Sequence, residues 1–120
     1  MERKLTGRFG EQAAADYLKK KKYKIVGLNY ACRFGEIDII AEDRQYIVFV
    51  EVKLRKDGSF AEAREFVTAA KQERIKKTAL LWLSQNLTEK QPRFDVVEVY
   101  APEGEHSRQI HINHIENAFE

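Results

Sequence analysis

Gly35-Glu36-Ile37-Asp38-Ile39-Ile40-Ala41-Glu42 is followed by Asp43-Arg44-Gln45-Tyr46 and then by Ile47-Val48-Phe49-Val50-Glu51-Val52-Lys53. Two short runs rich in Val, Ile and Phe flank a polar connection, which predicts a β-hairpin. Side chains alternate along a strand, so Glu36 and Asp38 share one face, as do Glu51 and Lys53. If the hairpin is symmetric about the Arg44-Gln45 bond, position 38 stands opposite 51 and position 36 opposite 53. Cross-strand Cβ atoms lie roughly 4.5–5.5 Å apart, and like charges placed directly opposite destabilise a sheet. A divalent cation such as Mg²⁺, which takes carboxylate oxygens, would neutralise Asp38 and Glu51. Lys53 can hold its ammonium beside the same point. The plainer alternative is an exposed hairpin with ordinary surface charges, but the residues between the acids are too apolar for both faces to be wet.

Toward the N-terminus, Phe9, Ala13-Ala14 and Tyr17-Leu18 recur at helical spacing and predict an amphipathic helix over 7–21 with Thr6 as N-cap. Glu11 falls on the same stripe. It either faces the sheet or favours the helix dipole from the first turn. Tyr23 to Leu28 reads as a strand, Asn29-Tyr30 leads into a connection, and Gly35 marks a tight approach where the next strand starts. Arg33 and Arg55 flank the hairpin.

Toward the C-terminus, Lys56-Asp57-Gly58-Ser59 is a loop and Phe60 to Val67 a short helical turn. Thr68 caps a helix that runs to about Asn86, with Ile75, Ala79, Trp82 and Leu83 toward the core. Lys71 lies at the edge of that stripe, where it is either a surface lysine or within reach of the hairpin acids or a phosphate. Phe94 to Tyr100 alternates as a strand with Phe94, Val96 and Glu98 on one face, and Asp95 is a weak site candidate. Ala101 to Gln109 is a loop and Ile110 to Ile115 an edge strand. His111 and His114 fall on opposite faces of that strand and read as surface residues.

A chain of 120 residues accommodates one domain, 1–120, with a single core. With 43% hydrophobic and 33% charged residues it is globular rather than disordered. It lacks a signal-peptide core and any apolar run near the ~20 residues of a membrane span, so the expectation is a cytoplasmic protein away from membranes. Cys32 is alone, which excludes an intrachain disulfide or a cysteine metal cluster and suits a half-buried small residue. A net charge of +2 does not itself point to nucleic acid. The basic residues are clustered, however, as Lys19 to Lys22 and as Lys71, Arg74, Lys76 and Lys77. Such clusters either neutralise phosphates or are solvated faces.

Asp38 followed by Glu51-Val52-Lys53 resembles the PD-(D/E)xK signature of restriction-endonuclease-like nucleases. The wider pattern of Gly10-Glu11, Ala14, Tyr17-Leu18, Gly35 to Asp38, Phe49 to Lys53, Lys71 and Arg93 to Val97 resembles the UPF0102 family of predicted endonucleases, which is similar in fold to archaeal Holliday-junction resolvases. The likeness runs from about Leu5 to Tyr100. Ala61 departs from it where glycine is expected, and Ile37 replaces the usual proline. The resemblance implies an α/β fold, a mixed β-sheet flanked by helices, with Mg²⁺ or Mn²⁺ held by Asp38, Glu51, Glu11 and the Val52 carbonyl. Lys53 completes the catalytic set with Asp38 and Glu51. Lys71, Arg74, Arg55 and Arg33 are the candidate DNA contacts, and Glu36 a supporting residue that tunes Lys53.

The expected function is hydrolysis of branched or single-stranded DNA in repair, recombination or processing. Junction resolvases cut two strands as symmetric dimers, which adds a homodimer to the expectations. The rivals are a nucleic-acid-binding module of nuclease ancestry without turnover and a partner-binding protein whose acids serve only structure.

Overall fold

A computed structural model describes the backbone of residues 2–55 and 67–120 and the side chains from residue 8 onward. The expected loop at Lys56 to Ser59, Ala61 and all but Val67 of the expected helical turn over 60–67 lie outside the described residues. The described elements are α1 (Glu2–Lys20), β1 (Lys24–Cys32), β2 (Gly35–Glu42), β3 (Tyr46–Arg55), α2 (Ala69–Gln85), β4 (Gln91–Tyr100), a single 3₁₀ turn (Gly104–His106) and β5 (His111–Phe119). The strands form one sheet in sequence order. Its pairs are antiparallel except β3 with β4, which run parallel. This is the α/β architecture, a mixed sheet flanked by helices, that the sequence predicts.

Strand alternation sorts the core into two layers. Ile39, Ala41, Val48, Val50, Val97 and Val99 pack with Ala14 and Leu18 of α1. Ile40, Ile47, Phe49 and Val96 pack with Ile75 and Ala79 of α2, and Trp82 and Leu83 lie half-buried against them. Thr68 caps α2 as expected, its hydroxyl accepting from Lys71 N–H at 3.2 Å, and Asn86 is the C-cap.

The hairpin turns where the sequence places it. Ile39 pairs with Val50, Ile40 with Phe49, Ala41 with Val48 and Glu42 with Ile47, a register symmetric about Arg44-Gln45. The Asp43 carboxylate closes the turn by accepting from the N–H groups of Gln45 and Tyr46 at 2.8 and 2.7 Å.

Several boundaries differ from expectation, among them the start of β4, at Gln91 rather than Phe94. α1 starts at Glu2, so position 6 lies inside the helix rather than at its N-cap, because Glu2, Arg3, Lys4 and Leu5 carry the helix further toward the N-terminus. β1 continues through Asn29 and Tyr30 to Cys32, since the pairing with β2 runs on to Cys32 opposite Gly35. β5 extends to Phe119, whose ring stacks on Phe94 at 5.1 Å. Gly35 has φ +156°, and a Cβ there would meet Arg74 and Thr78 of α2 at 3.4 Å, so the strand starts in close contact with α2.

Candidate metal centre at the fork of the sheet

The pairing of β2 with β3 stops at Ile39 and Val50. Beyond it β2 stays with β1 as far as Gly35, while β3 stays with β4 through Arg55. The sheet therefore forks, and Asp38 and Glu51 occupy the first step past the last pair. Asp38 Oδ2 accepts from Val52 N–H at 2.8 Å, so a side chain replaces the missing strand carbonyl. A strand residue's C=O leaves the same edge as its N–H. The Val52 carbonyl is thus on the β2 side, toward the fork.

Glu51 and Lys53 alternate with the residues under α1 and share the α2 face with Phe49. Glu51 is nearly buried, and its Oε1 lies 2.5 Å from Lys71 Nζ and 3.4 Å from Lys53 Nζ. Both lysines foreseen at the site converge on one carboxylate oxygen. An open cavity of about 560 Å³ covers this face, lined by Gly35, Glu36, Asp38, Glu51, Lys71 and Arg74 among others.

Glu11 reaches the fork from α1. Its carboxylate, that of Glu36 and that of Asp38 offer oxygens all within 4.8 Å of one another, an arrangement that could hold a metal ion. Glu36 is exposed and belongs with Glu11 and Asp38. The predicted pairing of Glu36 with Lys53 lies past the end of the β2–β3 ladder, so the fork removes the basis for Glu36 tuning that lysine. Asn29, which the sequence reading passed over as part of a connection, sits between these acids. With its carboxamide nitrogen facing them, it donates to Glu11 Oε1 at 2.5 Å, to Glu11 Oε2 at 3.2 Å and to Glu36 Oε1 at 3.3 Å.

Crowded, partly desolvated carboxylates resist ionisation. Burial, then the Glu51 charge, push Asp38 up to about 7. Burial and the Glu36 charge raise Glu11. Burial and the neighbouring Lys71 lower Lys53. Burial also opposes the charge on Lys71, but its hydrogen bond to Glu51 outweighs that and raises it.

The remaining candidates sit further out. Arg74, exposed, lines the cavity beside Lys71. Arg33 is exposed with its guanidinium 4.8 Å from the Phe34 ring. Arg55, at the end of β3, lies 3.8 Å from Glu98 Oε2. Glu98 is fully buried beside Lys53 in the parallel ladder, and it accepts from Tyr100 O–H and Asn113 Nδ2 at 3.1 and 2.9 Å.

Two expectations fail on β4 and β5. His114 is not a surface residue: its side chain is only 3% exposed, and Nε2 lies 2.7 Å from Asp95 Oδ2. A tyrosine edge covers it, with Tyr17 O–H 3.3 Å from Nδ1. Asp95 does not join the site. Arg93 donates to both its oxygens, at 2.9 and 2.8 Å, and Asn117 N–H donates at 3.0 Å. The sequence treated β5 as a bare edge, yet α1 and Tyr23 close over this stretch. His111 is exposed, as predicted.

A family model described as "Uncharacterised protein family UPF0102" matches residues 10–99. The UPF0102 protein of Caldanaerobacter subterraneus subsp. tengcongensis is 46% identical over 118 residues, covering 98% of this chain and 96% of its own. That of Trichlorobacter lovleyi is 47% identical over 95% of this chain and 89% of its own, and that of Alkaliphilus oremlandii 44% identical over 97% and 98%.

Proposed function

The chain belongs to the UPF0102 family, and from the carboxylates it gathers at the fork we propose that it is a metal-dependent endonuclease of DNA. One observation carries the reading: Asp38 and Glu51 stand at the first unpaired step of the hairpin, with Lys53 two residues on and sharing Glu51's oxygen.

The donor set suits a hard divalent cation. Asp38, Glu11 and Glu36 offer oxygens close together, and burial, then the charges of the neighbouring acids, keep Asp38 protonated well above the usual carboxylate range. Asp38, Glu51, Glu11 and the Val52 carbonyl would hold Mg²⁺ or Mn²⁺, with Glu36 beside them. Such an ion, when bound, lowers the pKa of water and polarises a phosphoryl group. Lys53 keeps an ammonium or amine facing the fork, where it can orient a water or offset charge developing on the phosphate. Lys71 and Arg74, on the cavity wall, supply positive charge for the strand on either side of the scissile bond, with Arg33 and Arg55 flanking.

A second reading has its own support. Lys71 and Lys53 both pair with Glu51, an arrangement that a nucleic-acid-binding module of nuclease ancestry would also allow. Incubating the protein with linear, nicked, flapped and four-way DNA in Mn²⁺ separates the two. Cleavage that disappears in Asp38→Asn supports the nuclease, and preference for flapped or four-way DNA supports structure selectivity. Binding without cleavage of any substrate supports the module.

A further inference from the structure

We infer that Asn29 is a positioning residue of the fork, one that holds Glu11 and Glu36 in the arrangement a cation needs. The inference rests on the metal-centre reading above and adds a residue that neither the hairpin pattern nor the signature contains.

Backbone geometry singles Asn29 out. Leu28 pairs with Ile39 and Tyr30 with Ile37, but the intervening step, Asn29 opposite Asp38, is absent from the ladder. Asn29 has φ +51°, in the left-handed region that asparagine tolerates better than most residues. Asp38 meanwhile spends an oxygen on Val52 N–H across the fork. The residue expected to line up with Asp38 has thus been rotated out of the pairing, while the register on either side of it is kept, and its side chain reaches the acids instead.

Chemistry explains what the rotation achieves. Glu11 comes from a helix and Glu36 from a strand, and two carboxylates from separate elements repel when both are ionised. A carboxamide brings two N–H donors and no net charge. Donating to Glu11 and to Glu36 Oε1, it ties both to one point while leaving carboxylate lone pairs open toward Asp38. Of the influences on Glu11, the Asn29 hydrogen bond is the largest that favours its charged form. A cation in this site would depend on that preorganisation, as metal ligands depend on the partners that orient them.

Mn²⁺ titration by calorimetry, alongside melting temperature in metal-free buffer, tests this. Asn29→Gly keeps the backbone conformation at no steric cost and removes only the carboxamide. It should melt close to wild type and bind Mn²⁺ about tenfold more weakly. Asn29→Asp keeps size and left-handed tolerance but turns the donor into a further anion facing Glu11 and Glu36. It should melt well below Asn29→Gly without metal. Asn29→Gly binding Mn²⁺ as tightly as wild type, or Asn29→Asp melting at or above the glycine variant, would overturn the inference. Wild-type protein that binds no Mn²⁺ would sink the metal reading and this inference together.

Discussion

Asp38 and Asp95 are both aspartates within the sheet, and their surroundings could hardly differ more. Asp95 receives two hydrogen bonds from Arg93, one from Asn117 N–H and one with His114. Burial alone would raise its pKa, but His114 and Arg93 outweigh burial and hold it below the ordinary carboxylate value. His114 Nε2 faces Asp95 at 2.7 Å and its Nδ1 faces Tyr17 O–H at 3.3 Å, so the ring bridges the two. Asp38 has one backbone donor and three acids around it, and is pushed up to about 7. A buried acid whose lone pairs are all met is part of the scaffold. One kept short of donors and beside other acids gains most when further positive charge arrives.

The contrast is broken most severely at Asp95. Replacing it with Asn removes the buried counterion of the Arg93 guanidinium, itself only 8% exposed, and leaves it the exposed Glu116 carboxylate at 3.9 Å; breaking one side of a buried pair costs up to about 3–5 kcal/mol. Asp38→Asn should instead leave metal-free stability equal or higher, because it removes one of several repelling carboxylates. Chemical denaturation of both variants without metal measures the difference. If Asp38→Asn proves as destabilising as Asp95→Asn, the two sites are the same kind of scaffold and the distinction fails.

The next effect lies in turnover. Lys53→Ala retains every carboxylate at the fork but removes the group that, in the proposed nuclease, would help most as charge develops on the phosphate. Cleavage should fall by about a hundredfold or more while DNA affinity stays within a few-fold. Single-turnover rates and equilibrium binding, compared on one substrate, show whether the loss is confined to the reaction. Equal losses in both would make Lys53 a binding residue.

Titration sharpens the comparison further. Asp38 has a folded pKa near 7, above its unfolded value near 4, so between those values the native state holds more protons than the unfolded chain. Metal-free stability should therefore fall as pH rises from about 4 to 7, by up to a few kcal/mol. Asp95 has the opposite sign. Its contribution is present above the unfolded pKa and is lost as pH falls through the depressed folded one. Melting curves over this range should show the alkaline-side loss in wild type and not in Asp38→Asn, and saturating Mg²⁺ should remove it from wild type.

How far the sequence foretold this follows the range of the interactions. The hairpin, its register about Arg44-Gln45, the Thr68 cap and the convergence of Glu51 with Lys53 depend on local alternation and spacing, and all were legible. Glu11 could be placed on the stripe of α1, but its company with Glu36 depends on the fork, which no pattern within one strand announces. Asn29 left no trace because its role comes from a left-handed backbone inside a strand. His114 was misread for a related reason: a strand at the edge of a sheet looks exposed in sequence, and only α1 and Tyr23 folding over it make it buried.

The smallest effect concerns Lys71, which has two candidate occupations. Its Nζ lies 2.5 Å from Glu51 Oε1, and it lines the cavity with Arg74 where, in the proposed function, a DNA strand would pass. As a phosphate contact, its replacement by Ala should weaken DNA binding alike for all sequences and reduce the slope of log affinity against log salt by about 0.7–0.9, one phosphate's worth of released counterion. As a mere partner of Glu51 it would leave the salt slope unchanged, and Lys71→Ala would show only a small drop in metal-free melting temperature, since its side chain is 39% exposed and solvent screens the pair. Binding isotherms at four or five salt concentrations distinguish these outcomes. A reduced slope places the phosphate beside Glu51, because a lysine held by that carboxylate can reach little else. An unchanged slope moves the DNA track off this wall of the cavity, toward Arg33 and Arg55 at the flanks.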